Sequence, residues 1–187
     1  MGKSDGHVTQ RRILTAAARH VGKHGPAKLT LDSAAAAAGL SKGAVLYHFK
    51  TKDALIAALL TSVLDGFDEA TDAIVERSDV AQGGYAAAYA QASFDPRNNA
   101  PEAAAGLLAA VTNNIELLKP AAERHEDYQR RLETDGIAPD VATLVRLAAD
   151  GLYFARAFKL APPSDALTEE VLQILLSLIE ISRSVSD

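Results

Sequence analysis

A short basic window in the first third of the chain carries side chains that can hold phosphate groups. Ser41 follows a glycine-containing turn, a place typical of the residue that caps the start of a helix. The helix that begins at Lys42 can be only about two turns long. Val45 and Phe49 lie four residues apart and share one of its faces, so they can anchor it to a core while its first turn points outward.

The outward residues of this short helix have the chemistry that a DNA-recognition helix needs. Lys42 can donate hydrogen bonds to guanine O6 or N7 in the major groove. Gly43 and Ala44 permit close approach and methyl contact, as to thymine. Donors suited to the flanking phosphate oxygens follow at the far end of the window: Tyr47, His48 and Lys52.

The segment before the window completes a helix-turn-helix motif. Thr30 is a natural N-cap for a helix over Leu31–Ala38, and Gly39 stands where the chain must leave that helix. The alanine run in this helix has high helix propensity and small side chains, which lets two helices cross closely. The residues predicted to contact DNA are therefore Thr30, Ser41, Lys42, Gly43, Ala44, Tyr47, His48 and Lys52.

The spacing of these residues resembles that of the TetR family of bacterial transcriptional repressors. Residues 38–49 contain Gly, Ser-Lys-Gly and Tyr-His-Phe at the family's positions, and residues 52–55 open the next helix with a lysine. One departure is Leu46, which stands where the family usually has the first of two tyrosines, often a phosphate contact. The phosphate contacts are therefore expected to rest more on the remaining donors of the window.

The charge distribution supports a DNA-binding head on a body of opposite sign. Residues 1–52 carry nine Lys and Arg against two acids, a net charge of +7, whereas residues 53–187 carry ten against twenty-two, a net charge of −12. Such a basic segment is the electrostatic footprint of a nucleic-acid-binding module. We therefore predict a DNA-binding domain over residues 1–52 and a helical effector-binding and dimerisation domain over residues 53–187.

The composition indicates an all-α protein of about nine helices. Apolar residues make up 48% of the 187 residues, recur with helical spacing and show no sustained two-residue alternation. The absence of cysteine excludes disulfides and thiolate chemistry and fits a reducing compartment. Because there is no signal-peptide pattern and no apolar run long enough to span a bilayer, the chain is expected in the cytoplasm, off the membrane and without cofactors.

Two predicted helices near the C-terminus carry more apolar residues than one core face requires. They run from Pro139 to about Leu160 and from about Thr168 to Ser184. Two such helices from each of two subunits would form a four-helix bundle, and the TetR resemblance implies the same homodimer. The alternative is burial of the extra surface within one subunit. The predicted interface comprises Val141, Leu144, Val145, Ala148, Leu152, Leu172, Leu175, Leu176 and Ile179.

A small-molecule pocket in the body is implied by the resemblance, since TetR-like bodies usually enclose one among their middle helices. Pockets combine aromatic walls with a few polar groups. The candidate ligand-binding residues are Tyr85, Tyr89, Phe94, Asn114, Tyr128 and Tyr153. Simple packing, with hydroxyls at the surface, is an alternative for the tyrosines. The sequence does not specify which effector would bind.

Other functions find little support in the residue pattern. Ser41 has Gly-x-Ser-x-Gly spacing, but no strand is predicted before it, as a nucleophile elbow requires; there is also no phosphate-binding glycine loop or His-Glu-x-x-His pair, so an enzyme is not expected. His20 and His24 have chelating spacing but lack a third metal ligand. The alternative function is a helical module that binds a small molecule or a protein without DNA. The preferred prediction is a homodimeric repressor on a near-palindromic duplex operator, released by a small-molecule effector.

Overall fold

The computed structural model describes residues 3–79, 83–98, 110 and 113–185. That part of the chain contains eight α-helices, two short 3-10 helices and no strand, which confirms the predicted all-α class. The α-helices are α1 (Lys3–His24), α2 (Leu31–Ala38), α3 (Lys42–His48), α4 (Lys52–Val75), α5 (Gly84–Phe94), α6 (Lys119–Glu133), α7 (Pro139–Ala157) and α8 (Asp165–Val185).

The starts of α2 and α3 lie at the capping residues predicted for them. Thr30 caps α2 and Ser41 caps α3. Thr51 accepts a hydrogen bond from the backbone N–H of Ala54 and so caps α4. Each hydroxyl satisfies a backbone donor that has no partner inside its helix. These helix starts are therefore determined by short-range chemistry.

The sequence also predicts a helix from Pro101 to about Lys119, since proline suits a first helical turn, and most of it lies outside the described residues. Of its end, Ile115–Leu118 forms a 3-10 helix that leads directly into α6. Gly136, which the sequence suggested as the end of the next helix, lies just beyond the last residue of α6. Its positive φ of 79° turns the chain towards α7.

Two compact units divide the described chain. The first runs to Val63 and also includes residues 110 and 113–121, and the second contains the other described residues. Helix α4 therefore contributes its first half to one unit and its second half to the other. The predicted domain boundary after Lys52 stays a prediction.

The core of the first unit holds α3 by its inner face. Ile13 of α1, Val45 of α3 and Leu55 of α4 are all fully buried. Helix α2 contributes alanines to this core, including Ala34 and Ala35, and these small side chains allow close packing. Burying a valine contributes about 1.5–3 kcal/mol, so Val45 is a firm anchor for a helix of only seven residues.

In the second unit, the buried helix α5 is fixed at its start by a side chain from another part of the chain. The Asp135 carboxylate accepts hydrogen bonds from the backbone N–H groups of Tyr85 at 3.3 Å and Ala86 at 2.8 Å. Burial raises the pKa of this carboxyl group above its usual value, an effect that the two backbone donors oppose. Asp135 therefore ties the segment after α6 to the first turn of α5.

Candidate nucleic-acid interface and effector site

Reciprocal hydrogen bonds and a left-handed glycine shape the turn between α2 and α3. Thr30 Oγ1 accepts from the backbone N–H of Ser33 at 2.9 Å, and Ser33 Oγ accepts from the backbone N–H of Thr30 at 2.8 Å. Gly39 ends α2 with a φ of 63° and a ψ of 40°, a left-handed backbone conformation that residues with a Cβ rarely adopt. The predicted helix-turn-helix geometry is present.

Helix α3 turns its N-terminal residues towards solvent because its opposite face is buried. Ser41 Oγ accepts from the backbone N–H of Ala44 at 3.2 Å, and Val45 and Phe49 pack into the core. Lys42 and Gly43 are exposed, and Tyr47 is 76% exposed. The sequence prediction of which residues face outward is consistent with this arrangement.

An ion pair that the sequence did not predict joins the first turns of α2 and α3. Lys42 Nζ lies 3.0 Å from Asp32 Oδ2, and both side chains are exposed. An exposed pair of this kind contributes roughly 0–1 kcal/mol, so Lys42 can leave Asp32 when a better acceptor arrives. The pair holds the lysine near the surface that a base edge would approach.

Lys52 also has a partner that could not be predicted from the sequence. Its Nζ donates a hydrogen bond to Asn113 Oδ1 at 2.7 Å, across 61 positions of the sequence and within the first unit. The half-buried Lys52 side chain is thereby held at the start of α4.

The His48 ring contacts the rings of Tyr47 and Phe49, and its centroid lies 5.2 and 6.3 Å from theirs.

In the second unit, four aromatic rings from α4, α5 and α6 form a tyrosine cluster: Phe67, Tyr85, Tyr89 and Tyr128. The centroids of Phe67, Tyr89 and Tyr128 lie 5.1–5.6 Å apart in T-shaped pairs, and Tyr85 lies 6.2 Å from Tyr89. Burial raises the pKa of Tyr85 to about 12 and that of Tyr89 and Tyr128 further. These phenols are therefore protonated hydrogen-bond donors at neutral pH.

Ion pairs and a hydrogen bond between α4 and α6 lie beside the tyrosine cluster. The Tyr128 hydroxyl donates to Asp68 Oδ1 at 2.7 Å, and Arg124 pairs with Asp68 and, at 3.2 Å, with Asp65. One turn further on, Arg131 lies 3.4 Å from Asp72, and its guanidinium carbon lies 3.9 Å from the centre of the Tyr85 ring. The second half of α4 is thereby linked to α6 by both charge and aromatic contact.

Three of the predicted ligand-binding residues do not belong to this cluster. Asn114 belongs to the first unit, where its exposed side chain caps the 3-10 helix by accepting from the backbone N–H of Glu116 at 3.1 Å. The assignment of Asn114 to an effector site stays a prediction. Tyr153 is half-buried, and its ring packs against Phe154 at 5.8 Å. Phe94 is buried in the same core as the tyrosines.

Several residues predicted at the dimer interface are instead part of the core of the second unit. Val145 is 0% exposed and Ile179 is 2% exposed, and Leu152 and Leu175 are buried with them. Val145 has no exposed surface and so cannot contact a partner subunit, and its assignment is corrected; the other three keep 2–6% of their surface exposed and can add only a small area to an interface. Of the other predicted residues, Leu144 is exposed, while four are half-buried against the core: Val141, Ala148, Leu172 and Leu176.

The same two helices present different apolar residues to solvent. On α8, Ile174 and Ile181 are 59% and 61% exposed, and with Leu167 they recur every seven residues along one side of the helix. On α7, Leu144, Leu147 and Phe154 are also exposed. We call these six residues the apolar stripes. Seven-residue spacing of this kind is typical of helices that pack against a partner helix.

The two histidines with chelating spacing show no sign of a metal centre. Their rings lie 4.7 Å apart, and His20 Nε2 lies 3.2 Å from the backbone oxygen of Lys28. Within the described part of the chain, no group of three or more potential metal ligands is found. In the same residues, no helix is long and apolar enough to cross a membrane.

Two protein-family models match this chain. Residues 13–59, which include the helix-turn-helix, match the model described as bacterial regulatory proteins, tetR family. Residues 83–180 match the model described as Tetracyclin repressor-like, C-terminal domain, and this match alone covers more than half of the chain. The chain belongs to the TetR family. The predicted resemblance is thereby confirmed, and the family is one of transcriptional regulators.

Curated transcriptional regulators match part of the chain. The HTH-type transcriptional regulator TtgR of Pseudomonas putida is 35% identical over 78 residues, which are 42% of this chain and 37% of that protein. The regulator ArpR of Pseudomonas putida is 38% identical over 66 residues, or 35% of this chain and 31% of that protein. The matches thus span about a third of the length of these relatives.

Solved structures with the TetR fold match nearly the whole chain. A TetR family member from Streptomyces coelicolor A3, SCO1917, superimposes with a TM-score of 0.67 at 27% identity, covering 89% of this chain and 97% of that one. The multidrug binding protein EbrR, solved with imidazole, gives a TM-score of 0.61 at 28% identity and covers 88% of both chains. The fatty acid degradation regulator FadR from Bacillus halodurans, at 17% identity and a TM-score of 0.70, shares the fold.

Proposed function

We propose that this TetR family member is a DNA-binding transcriptional regulator that binds its operator as a homodimer and is released by a small molecule. The observation that carries the proposal is the exposed first turn of α3, which two capped helices and a buried valine hold in place. That turn lies in a segment with a net charge of +7. The proposed role requires binding of DNA and effector and no catalysis. We propose that the protein acts in the cytoplasm.

Base recognition is assigned to the first turn of α3. Lys42 donates to guanine O6 or N7, and the small side chains of Gly43 and Ala44 let the helix approach the base edges. Two copies of α3 from one dimer would enter successive major grooves about 34 Å apart, so the operator is near-palindromic. The phosphate contacts are assigned to the flanking hydroxyl, imidazole and ammonium groups: Thr30, Ser41, Tyr47, His48 and Lys52.

The apolar stripes of α7 and α8 are assigned to the dimer interface. Exposed Leu, Ile and Phe side chains at helical spacing leave water when a second copy packs its own pair of helices against them. A two-fold axis through such a four-helix bundle repeats the same contacts in both subunits. The dimer then presents two copies of α3 to one operator.

The tyrosine cluster is assigned to the effector, a flat aromatic cation. Ring faces and edges recognise such molecules, and residues 53–187 carry a net charge of −12 that attracts positive charge. Structures of the similar protein EbrR contain ethidium and malachite green. The Tyr128 hydroxyl donates a hydrogen bond to Asp68 of α4. A ligand between the rings would therefore disturb the contacts between α6 and α4 and shift the position of α4. A coupling of about 1–3 kcal/mol is enough for regulation.

Selection of bound duplexes from random DNA tests the DNA-binding role. The expected winner is a near-palindrome, bound with a steep loss of affinity between low and physiological salt because several phosphates are contacted. The alternative, a helical binding module that uses no DNA, predicts no enrichment of any duplex. Failure to bind duplex DNA even at low salt would exclude the regulator.

Titration with malachite green in the absence of DNA tests the effector class. The dye is expected to bind the wild-type protein, as measured by its fluorescence on immobilisation. Tyr89→Leu should weaken binding about tenfold, since each aromatic pair contributes about 0.5–1.5 kcal/mol. Tyr47→Leu removes an exposed tyrosine of the first unit and serves as the matched control. If a Tyr89→Leu variant shown by circular dichroism to be folded bound the dye as tightly as the wild type, the tyrosine cluster would not be the effector site.

A further inference from the structure

A basic groove of about 1260 Å³ lies between α1 and α2 in the first unit. Its walls carry four permanent cations, from Arg11, Arg12, Arg19 and Lys23. Three histidines, one near the start of α1 and two near its end, also line it. None of the described residues that line the groove is acidic. A surface with this charge attracts anions, and none of the residues assigned above to base contacts forms part of it.

The distribution of the cations indicates an extended anion. The four cations lie along α1 between residues 11 and 23, a length of about 18 Å at 1.5 Å per residue. A compact anion needs donors that converge on one point, whereas a row of cations matches the evenly repeated charges of a phosphodiester chain. The part of the groove formed by α2 includes Ala36 and Ala37, whose small side chains allow a polymer backbone to approach closely.

Both ends of α2 connect this groove to the recognition surface. Ser33, in the first turn of α2, lines the groove and is the neighbour of Asp32, which pairs with Lys42 of α3. At the other end, a Cβ placed on Gly39 would lie 3.1 Å from Arg12 Nη2, so this guanidinium reaches the turn between α2 and α3. Groove residues therefore lie next to both ends of the helix-turn-helix, close enough for DNA held by α3 to reach α1.

We propose that the groove between α1 and α2 binds the phosphate backbone of DNA that flanks the operator, without reading its sequence. The proposal rests on the proposed regulator function and adds a second contact surface to it. DNA is preferred to an acidic peptide or a lipid surface because the groove adjoins the helix-turn-helix and its cations are spread along α1. The groove lengthens the contacted DNA beyond the bases that α3 recognises.

Duplex length combined with neutralisation of the groove tests this proposal. The duplexes are the selected operator alone and the same operator with ten base pairs of unrelated sequence added at each end. Wild-type protein is expected to bind the longer duplex about tenfold more tightly. The variant Arg19→Gln with Lys23→Gln should lose this gain and lower the salt slope on the long duplex by about two to four, since each dimer loses four cations. Affinity for the short duplex should be unchanged.

A matched control has the same charge change outside the groove. Arg77→Gln with Lys159→Gln neutralises two cations of the second unit, and it should keep the full gain from flanking DNA. An equal loss in both double variants, or an equal loss on short and long duplexes, would overturn the flanking-DNA role. Preference of the wild-type groove for polyglutamate or for phosphatidylserine vesicles over the flanks would do so too. Absence of binding to the short operator instead removes the regulator function itself.

Discussion

Replacing Ile174 and Ile181 by glutamate is expected to convert the proposed dimer into a folded monomer and to weaken operator binding by a factor on the order of 100 or more. Both side chains are more than half exposed in the single chain, so charge there does not disturb the core. In the dimer the same positions would bury four unpaired carboxylates, a cost of several kcal/mol for each ion. A monomer then presents only one α3 and loses the advantage of binding two half-sites together.

Sedimentation velocity measures the change of mass, and a fluorescence-anisotropy titration with the operator measures the change of affinity. Ile115→Glu is the matched control, because Ile115 is similarly exposed but lies in the first unit. It should stay dimeric and bind as the wild type does. A dimer that persists in the Ile174→Glu, Ile181→Glu variant would show that the apolar stripes have another role.

Replacing Lys42 by alanine is expected to relax the preference for particular base pairs by about 1–3 kcal/mol, or roughly 5- to 150-fold, at the positions it contacts. The reason is that Lys42 stands exposed in the first turn of α3, the turn proposed to meet the base edges, and only a weak ion pair with Asp32 holds it. The measurement is a comparison of the operator with single-base variants at constant salt. Affinity for unrelated duplexes should fall much less.

Lys52→Ala gives the contrast for this test. Its ammonium group, held by Asn113 at the start of α4, is assigned to a phosphate, so its removal should weaken all duplexes alike and lower the salt slope by about one for each phosphate that it neutralises. Asp32→Asn is the second contrast, because it frees Lys42 and removes a carboxylate from the DNA-facing side. It should raise affinity for unrelated duplexes. The same uniform loss in both lysine variants would contradict the assignment of Lys42 to bases.

The helix-turn-helix was predictable from the sequence because its determinants act over a few residues. Thr30, Ser41 and Gly39 fix helix ends through hydrogen bonds and backbone conformation that depend on their immediate neighbours. The four-residue spacing of Val45 and Phe49 defines the buried side of α3, and with it the exposed side. The family's pattern is dense in this segment, which is why the resemblance was recognisable there.

The polar contacts around this motif could not be predicted because each joins residues that are distant in the sequence. Lys42 meets Asp32 across ten positions, and Lys52 meets Asn113 across 61. The same holds in the second unit, where Tyr128 meets Asp68 across 60 positions. Aromatic and charged residues were visible in the sequence, but their partners depend on how α4 and α6 pack.

The sequence by itself determined the helical class, the capped helix-turn-helix and the separation of basic and acidic halves, since all three follow from local chemistry or composition. It also determined that α7 and α8 carry two apolar faces. Only the tertiary structure decided which of these faces is buried and which is exposed. Val145 and Ile179 pack against the buried α5, while Ile174 and Ile181 lie at the surface. The physical reason is that periodicity shows how many apolar faces a helix has, whereas the position of α5 determines which one is buried.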